Sequence, residues 1–148
     1  MNTLERGAAA GAIATAAMTL VIAGGRAAGL LFVPPPAEIA RAAAAKAGVE
    51  AEPPGWIDRA VWMSEHAGYG VACGVGYALA RPRLPASPAV AGLLWGGAIW
   101  AVSYLGLMPA LGLYPWPDDD RPTRTSVMLA AHAVYGLTLA ECERRLAG

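Results

Sequence analysis

Few residues in this chain are equipped for chemistry, and its two histidines stand first among them. His66, Ala67, Gly68, Tyr69, Gly70 returns as His132, Ala133, Val134, Tyr135, Gly136, and a methionine, Met63 or Met128, precedes each histidine by three or four residues. An imidazole exchanges a proton near neutral pH and ligates metals through either nitrogen. Three chemistries follow. Two imidazoles in reach of one another, or bridged by one water, relay protons. Two Nε2 atoms on opposite sides of one iron hold a b-type haem, with Gly70 and Gly136 leaving space beside the ring. Met63, His66, Met128 and His132 together make a soft ligand set for Cu(I). Against all three stands a plainer role, a neutral ring hydrogen-bonded to a tyrosine or a helix carbonyl.

Arg26 and Glu65 are the other ionisable side chains set in apolar sequence. Charge inside a membrane is costly, so such residues are functional candidates by default. An ion pair between neighbouring helices would lower the cost for both; the alternative is that each snorkels to a nearby interface. The expected polar intramembrane network is therefore Arg26, Glu65, His66, Tyr69, His132 and Tyr135. No nucleotide loop, nucleophile triad, zinc signature or carboxylate pair occurs, so neither an enzyme nor a bound cofactor is expected, haem b being the alternative.

The elements that must position these residues are apolar helices. Of the 148 residues 56% are hydrophobic and 15% charged, which lies outside the balance of a soluble domain. Lys plus Arg equals Asp plus Glu at 11 each, which gives nucleic acid no basic surface. Cys73 and Cys142 have no metal or disulfide spacing and read as free thiols. Residues 7–25 carry no charge over 19 positions, a length of about 28 Å, close to a bilayer core. That run exceeds the roughly 7 to 15 apolar residues of a signal peptide, so a retained helix is expected.

The whole chain, 1–148, reads as one all-α transmembrane domain, a polytopic four-helix bundle. Its crossings are expected at about 7–31, 57–80, 88–113 and 123–142, with a short surface helix at about 37–47 in the first loop. Pro34, Pro35 and Pro36 are expected to end the first span, and Pro53 and Pro54 to break the chain again. Trp56 and Trp62 read as interfacial aromatics. Ser87 and Pro88 give the cap and first turn of the third span, and Pro109 its kink or exit. Arg81 and Arg83 lie in a very short loop, where the positive-inside bias is strongest, so both termini are placed in the cytoplasm of a bacterial inner membrane.

Small residues govern how such helices meet. Gly7 with Gly11, Gly25 with Gly29, Gly70 with Gly74, and Gly92 with Gly96 each lie on one helix face, where another backbone can come close. They serve either the chain's own bundle or a homo-oligomer. The repeat extends to the helix ends: 29–36 reads Gly-Leu-Leu-Phe-Val-Pro-Pro-Pro and 112–117 reads Gly-Leu-Tyr-Pro-Trp-Pro. Two helix pairs about an axis along the membrane normal would produce this pattern, with His66 and His132 on diagonal helices.

Residues 60–146 resemble the YagU-like family of small bacterial inner-membrane proteins. The resemblance rests on His66, then Val75, Gly76 and Tyr77, the run 92–97, Pro109, Gly112, Leu113 and Pro115, and finally His132, Tyr135, Glu141, Arg144 and Arg145. It implies a multi-helix membrane protein and transfers no reaction. The reading from sequence is thus a non-enzymatic membrane protein. Its polar network would serve assembly with a membrane partner or a second copy, or movement of protons or another small solute.

Overall fold

In a computed structural model, which describes residues 1–49 and 55–148, the described residues contain helices and turns and no strand. The expected breakers Pro53 and Pro54 lie outside the described residues. Helix α1 is Thr3–Ala27, and its start is fixed by a capping box. The Glu5 N–H donates to Asn2 Oδ1 and the Asn2 N–H to Glu5 Oε2, each at 2.9 Å. Its end is a left-handed glycine cap: Gly29 has φ +73°, and the Leu30 N–H reaches back to the Gly25 carbonyl at 2.9 Å.

Helix α2, Pro35–Lys46, corrects the role given to the prolines. Pro34 is its N-cap, and Pro35 and Pro36 begin it, because first-turn residues have no N–H partner inside the helix and a proline there loses nothing. Helix α3 is Gly55–Ala80 and is followed by a tight turn, Arg81–Arg83. The Arg81 guanidinium closes that turn by donating to the Pro85 and Ala86 carbonyls, both at 2.9 Å.

Helix α4, Pro88–Ala110, starts on the Ser87 cap and contains a π turn at Ser103–Leu107. Pro109 accounts for the irregularity, since it cannot donate to the carbonyl four residues back and its ring crowds that carbonyl. The turn widens, and the Met108 N–H bonds Ser103 O instead. Gly112, with φ +62°, caps this helix as Gly29 caps α1, through Leu113 N–H to Met108 O at 2.9 Å. The last helix, α5, is Pro122–Ala147. At 26 residues it runs well past the uncharged stretch that marked it in the sequence.

Helix α1 packs against α3 and α5, α5 also packs against α4, and α2 leans on α3. The neighbours are antiparallel. Gly7 faces Gly74 and Gly11 faces Gly70, while Gly92 faces Gly136 and Gly96 faces His132. Added β-carbons would sit 2.8 Å from Gly74 O at Gly7 and 2.7 Å from Gly70 O at Gly11. At Gly92 and Gly96 they would run into the Gly136 and His132 carbonyls. The glycine pairs therefore act inside the chain. Gly25 leaves room for Val127, and Gly29 serves as a cap.

Large side chains hold α3 and α4 further apart. Tyr77 meets Trp95 edge-on at 5.9 Å between ring centroids, and the Trp95 indole N–H donates to Cys73 O at 3.1 Å. The core lies along the α1–α5 seam, where Ala10, Ala14, Met18 and Ile22 meet Met128, Ala131, Tyr135 and Leu139. Leu20, Leu79, Leu94 and Val102 stand on the outside. Among the described residues two helices, Thr3–Ala27 and Pro88–Ala110, are long and apolar enough to cross a membrane by length and composition. Helices α3 and α5 carry more charge, among it Asp58, Arg59 and Glu65 in the first and Arg124, Glu141 and Glu143 in the second.

Candidate functional site

The gap between α3 and α4 is a cavity of about 350 Å³, closed behind by α1 and α5 and at one end by α2. Five of the six residues expected in the polar network line it: Glu65, His66, Tyr69, His132 and Tyr135. Helical spacing explains the grouping on α3, where positions 62, 65, 66, 69 and 73 form one stripe. Position 62 in that stripe is a tryptophan, so Trp62 contributes to the cavity wall.

Each polar side chain is held differently. His132 Nδ1 lies 2.8 Å from the Met128 carbonyl. A carbonyl only accepts, so Nδ1 carries the proton and Nε2 is left as a bare acceptor in the neutral ring. The Tyr135 hydroxyl donates across the bundle to Gly70 O at 2.6 Å. Tyr69, 48% exposed, spans the seam between α3 and α4, its hydroxyl 3.3 Å from Ser103 Oγ in the π turn. Three buried polar atoms of wall residues, His66 Nε2, Trp100 Nε1 and Tyr114 Oη, have no hydrogen-bond partner among the described residues.

Arg26 is the exception. It is exposed in the last turn of α1, and no ion pair or hydrogen bond joins it to Glu65 among the described residues. The inward face of α1 runs through Met18, Ile22 and Gly25, and one further residue turns Arg26 about 100° away from it. Met63 is likewise outside the wall and 46% exposed, so the four residues of the soft metal set do not converge. Among the described residues, no group of three or more His, Cys, Asp or Glu side chains is placed to hold a metal ion. Cys73 lines the cavity as a free thiol, and Cys142 is also free.

A second polar cluster, not anticipated from sequence, closes the end of the cavity under α2. Arg124 donates to Glu38 Oε1 and Oε2 at 3.0 and 2.9 Å and also pairs with Asp120. The Tyr104 hydroxyl donates to Asp120 Oδ2 at 2.9 Å and lies 2.7 Å from Thr125 Oγ1. The Arg124 guanidinium also sits 4.9 Å from the centre of the Tyr114 ring. Burial pushes the Tyr114 phenol well above its ordinary pKa, while the neighbouring Arg124 pulls the other way. Arg41 adds a second tie, to Asp58 at 2.7 Å. These bonds set α2 over the cavity, into which it presents Pro35, Pro36 and Ile39. The one local hint was Asp120 four residues before Arg124; nothing in the sequence joined either to Glu38.

At the other end Arg6 and Glu143 pair at 3.5 Å, with Glu143 only 4% exposed. Ion pairs thus stand at the two ends, with aromatic and imidazole groups and the Glu65 carboxylate between them. No curated protein and no solved structure matches the chain. The model of one family, described as a family of unknown function (DUF6789), matches residues 1–148. Because that match runs the length of the sequence, the chain belongs to the DUF6789 family.

Proposed function

We propose that this is a non-enzymatic, four-crossing protein of the bacterial inner membrane whose intramembrane cavity holds a small solute against His66, Tyr69, His132 and Tyr135. The observation that carries the reading is the convergence of these four side chains, from the diagonal helices α3 and α5, on one cavity. Movement of a solute or a proton is favoured over partner assembly. The glycine faces that would meet a second chain are already occupied within this one, and the two histidines and Tyr135 line the cavity while being at least partly buried. Helices α1 and α4 cross by their composition; α3 and α5 cross with their charges near the ends or turned to the cavity. Matching glycine caps at Gly29 and Gly112, and the shared setting of His66 and His132, support two related helix pairs. The likeness of 60–146 to YagU-like proteins points to the same membrane.

Both termini are placed in the cytoplasm, on the side of the Arg81–Arg83 turn. Reporter fusions after Gly148 should score cytoplasmic and at Asp119 periplasmic; the reverse sinks this topology. The cavity has its own test. In a Cys142→Ser background, Cys73 of the folded protein should react with N-ethylmaleimide, and a His66→Trp change, which fills the space, should slow it at least fivefold. An inert Cys73 that becomes reactive only on unfolding refutes the reading.

A b-type haem is the second reading, favoured by the bond that fixes His132 with Nε2 free. The cavity lies near the lower end of the range for small-ligand sites, which favours a smaller guest than a porphyrin. A Soret band lost on His132→Ala would reverse that preference.

A further inference from the structure

The chemistry of the cavity wall selects a class of guest. Six aromatic side chains contribute to it, Trp62, Tyr69, Trp100, Tyr104, Tyr114 and Tyr135. Glu65 is the one carboxylate or other fixed charge among the wall residues, and it has no ion pair or hydrogen bond to any described residue. His132, whose Nδ1 is taken by the Met128 carbonyl, lines the same space. No Lys or Arg lines the cavity to receive an anion.

Electron-rich ring faces attract cations, most strongly where water is excluded, and recognition of organic ammonium groups by aromatic cages is their best-known use. Glu65 is exposed rather than enclosed, and a carboxylate with no partner of its own attracts an opposite charge brought close to it. One of these rings already has a cation beside it: the Arg124 guanidinium, itself outside the cavity wall, sits over Tyr114. We propose that the cavity binds a lipophilic organic monocation, an ammonium carrying about one aromatic ring, with its charge toward Glu65 and its ring among the aromatic residues. This rests on the reading of the cavity as a solute site and adds the class of solute. The volume of about 350 Å³ suits a guest of that size.

Benzyltrimethylammonium and neopentylbenzene have nearly the same shape and differ by one charge. Each is titrated against the full-length Cys142→Ser protein in an uncharged detergent, with protection of Cys73 from N-ethylmaleimide as the readout. The cation should protect at a concentration at least tenfold lower than the hydrocarbon. Glu65→Gln should erase that advantage and Glu65→Asp should keep most of it. An unliganded Cys73 rate within twofold of the parent's shows that a variant retains the cavity; Glu65→Asp carries the comparison if Glu65→Gln fails that check. Equal protection by the two compounds, or a cation advantage that survives Glu65→Gln, overturns the proposal. Protection by neither, with Cys73 still reactive, also overturns it and leaves the cavity reading standing. An inert Cys73 in the parent defeats both.

Discussion

Adding one methyl group to α1 should have opposite consequences at two positions 13 residues apart. A β-carbon at Gly11 would lie 2.7 Å from Gly70 O and 3.1 Å from the Cα atoms of Val71 and Gly74. A carbon and an oxygen in contact need about half an ångström more than the first of these distances. All three obstacles are backbone, so no rotamer change relieves them and α1 and α3 must move apart. Overpacking of this kind costs roughly 1–3 kcal/mol. The upper part of that range is expected here, because separation also loosens the contact of Gly7 with Gly74 one turn away. At Gly24 nothing lies within 4 Å, and the same substitution should be neutral or stabilise by up to about 1 kcal/mol through helix propensity. Thermal unfolding of Gly11→Ala and Gly24→Ala in one detergent measures the difference. Equal midpoints, or a Gly11→Ala protein as stable as the parent, would refute the close approach of α1 to α3.

Three further outcomes follow from the polar contacts. Tyr135→Phe removes the 2.6 Å bond to Gly70 O and should cost about 1 kcal/mol by the same thermal assay, with no loss of helix by circular dichroism. Arg124→Met leaves Asp120 without its cation and frees Glu38, and should destabilise by roughly 3 kcal/mol while hydrogen exchange in 35–46 speeds up; unchanged exchange there would show that α2 is held by something else. Arg6→Met should harm stability more than Arg6→Met combined with Glu143→Leu, since the single change strands a buried carboxylate, whereas effects at Arg26 and Glu65 should simply add.

The positions of the helices were legible because their causes are local. The uncharged run at 7–25 and the Ser87 cap before Pro88 act within a few residues of themselves, whereas Gly29, read as a packing residue, proved to be a cap. The glycine faces were legible too, since spacing alone puts Gly7 with Gly11 and Gly92 with Gly96 on one side of a helix. Even so, the prolines at 34–36 were misjudged. A proline stops one helix and starts the next with the same missing N–H, and only the course of the chain after it decides which.

What the sequence could not decide was which faces meet. In a water-soluble helix the apolar stripe names the buried side, but on α1 and α4 almost every face is apolar and the stripe disappears. Polar residues therefore had to carry the inference, and they divided. His66 and His132 lie on the stripe that faces the cavity, whereas Arg26, a single residue past the inward Gly25, points away from Glu65. The tie between Glu38 and Arg124 spans 86 residues, and no local pattern encodes a contact at that separation. The sequence by itself determined an all-helical chain with apolar helices and polar residues to be accommodated. Tertiary structure decided that glycine contacts draw α1 to α3 and α4 to α5 while aromatic side chains hold α3 and α4 apart, because backbone can approach where side chains are missing and a cavity remains where they are large.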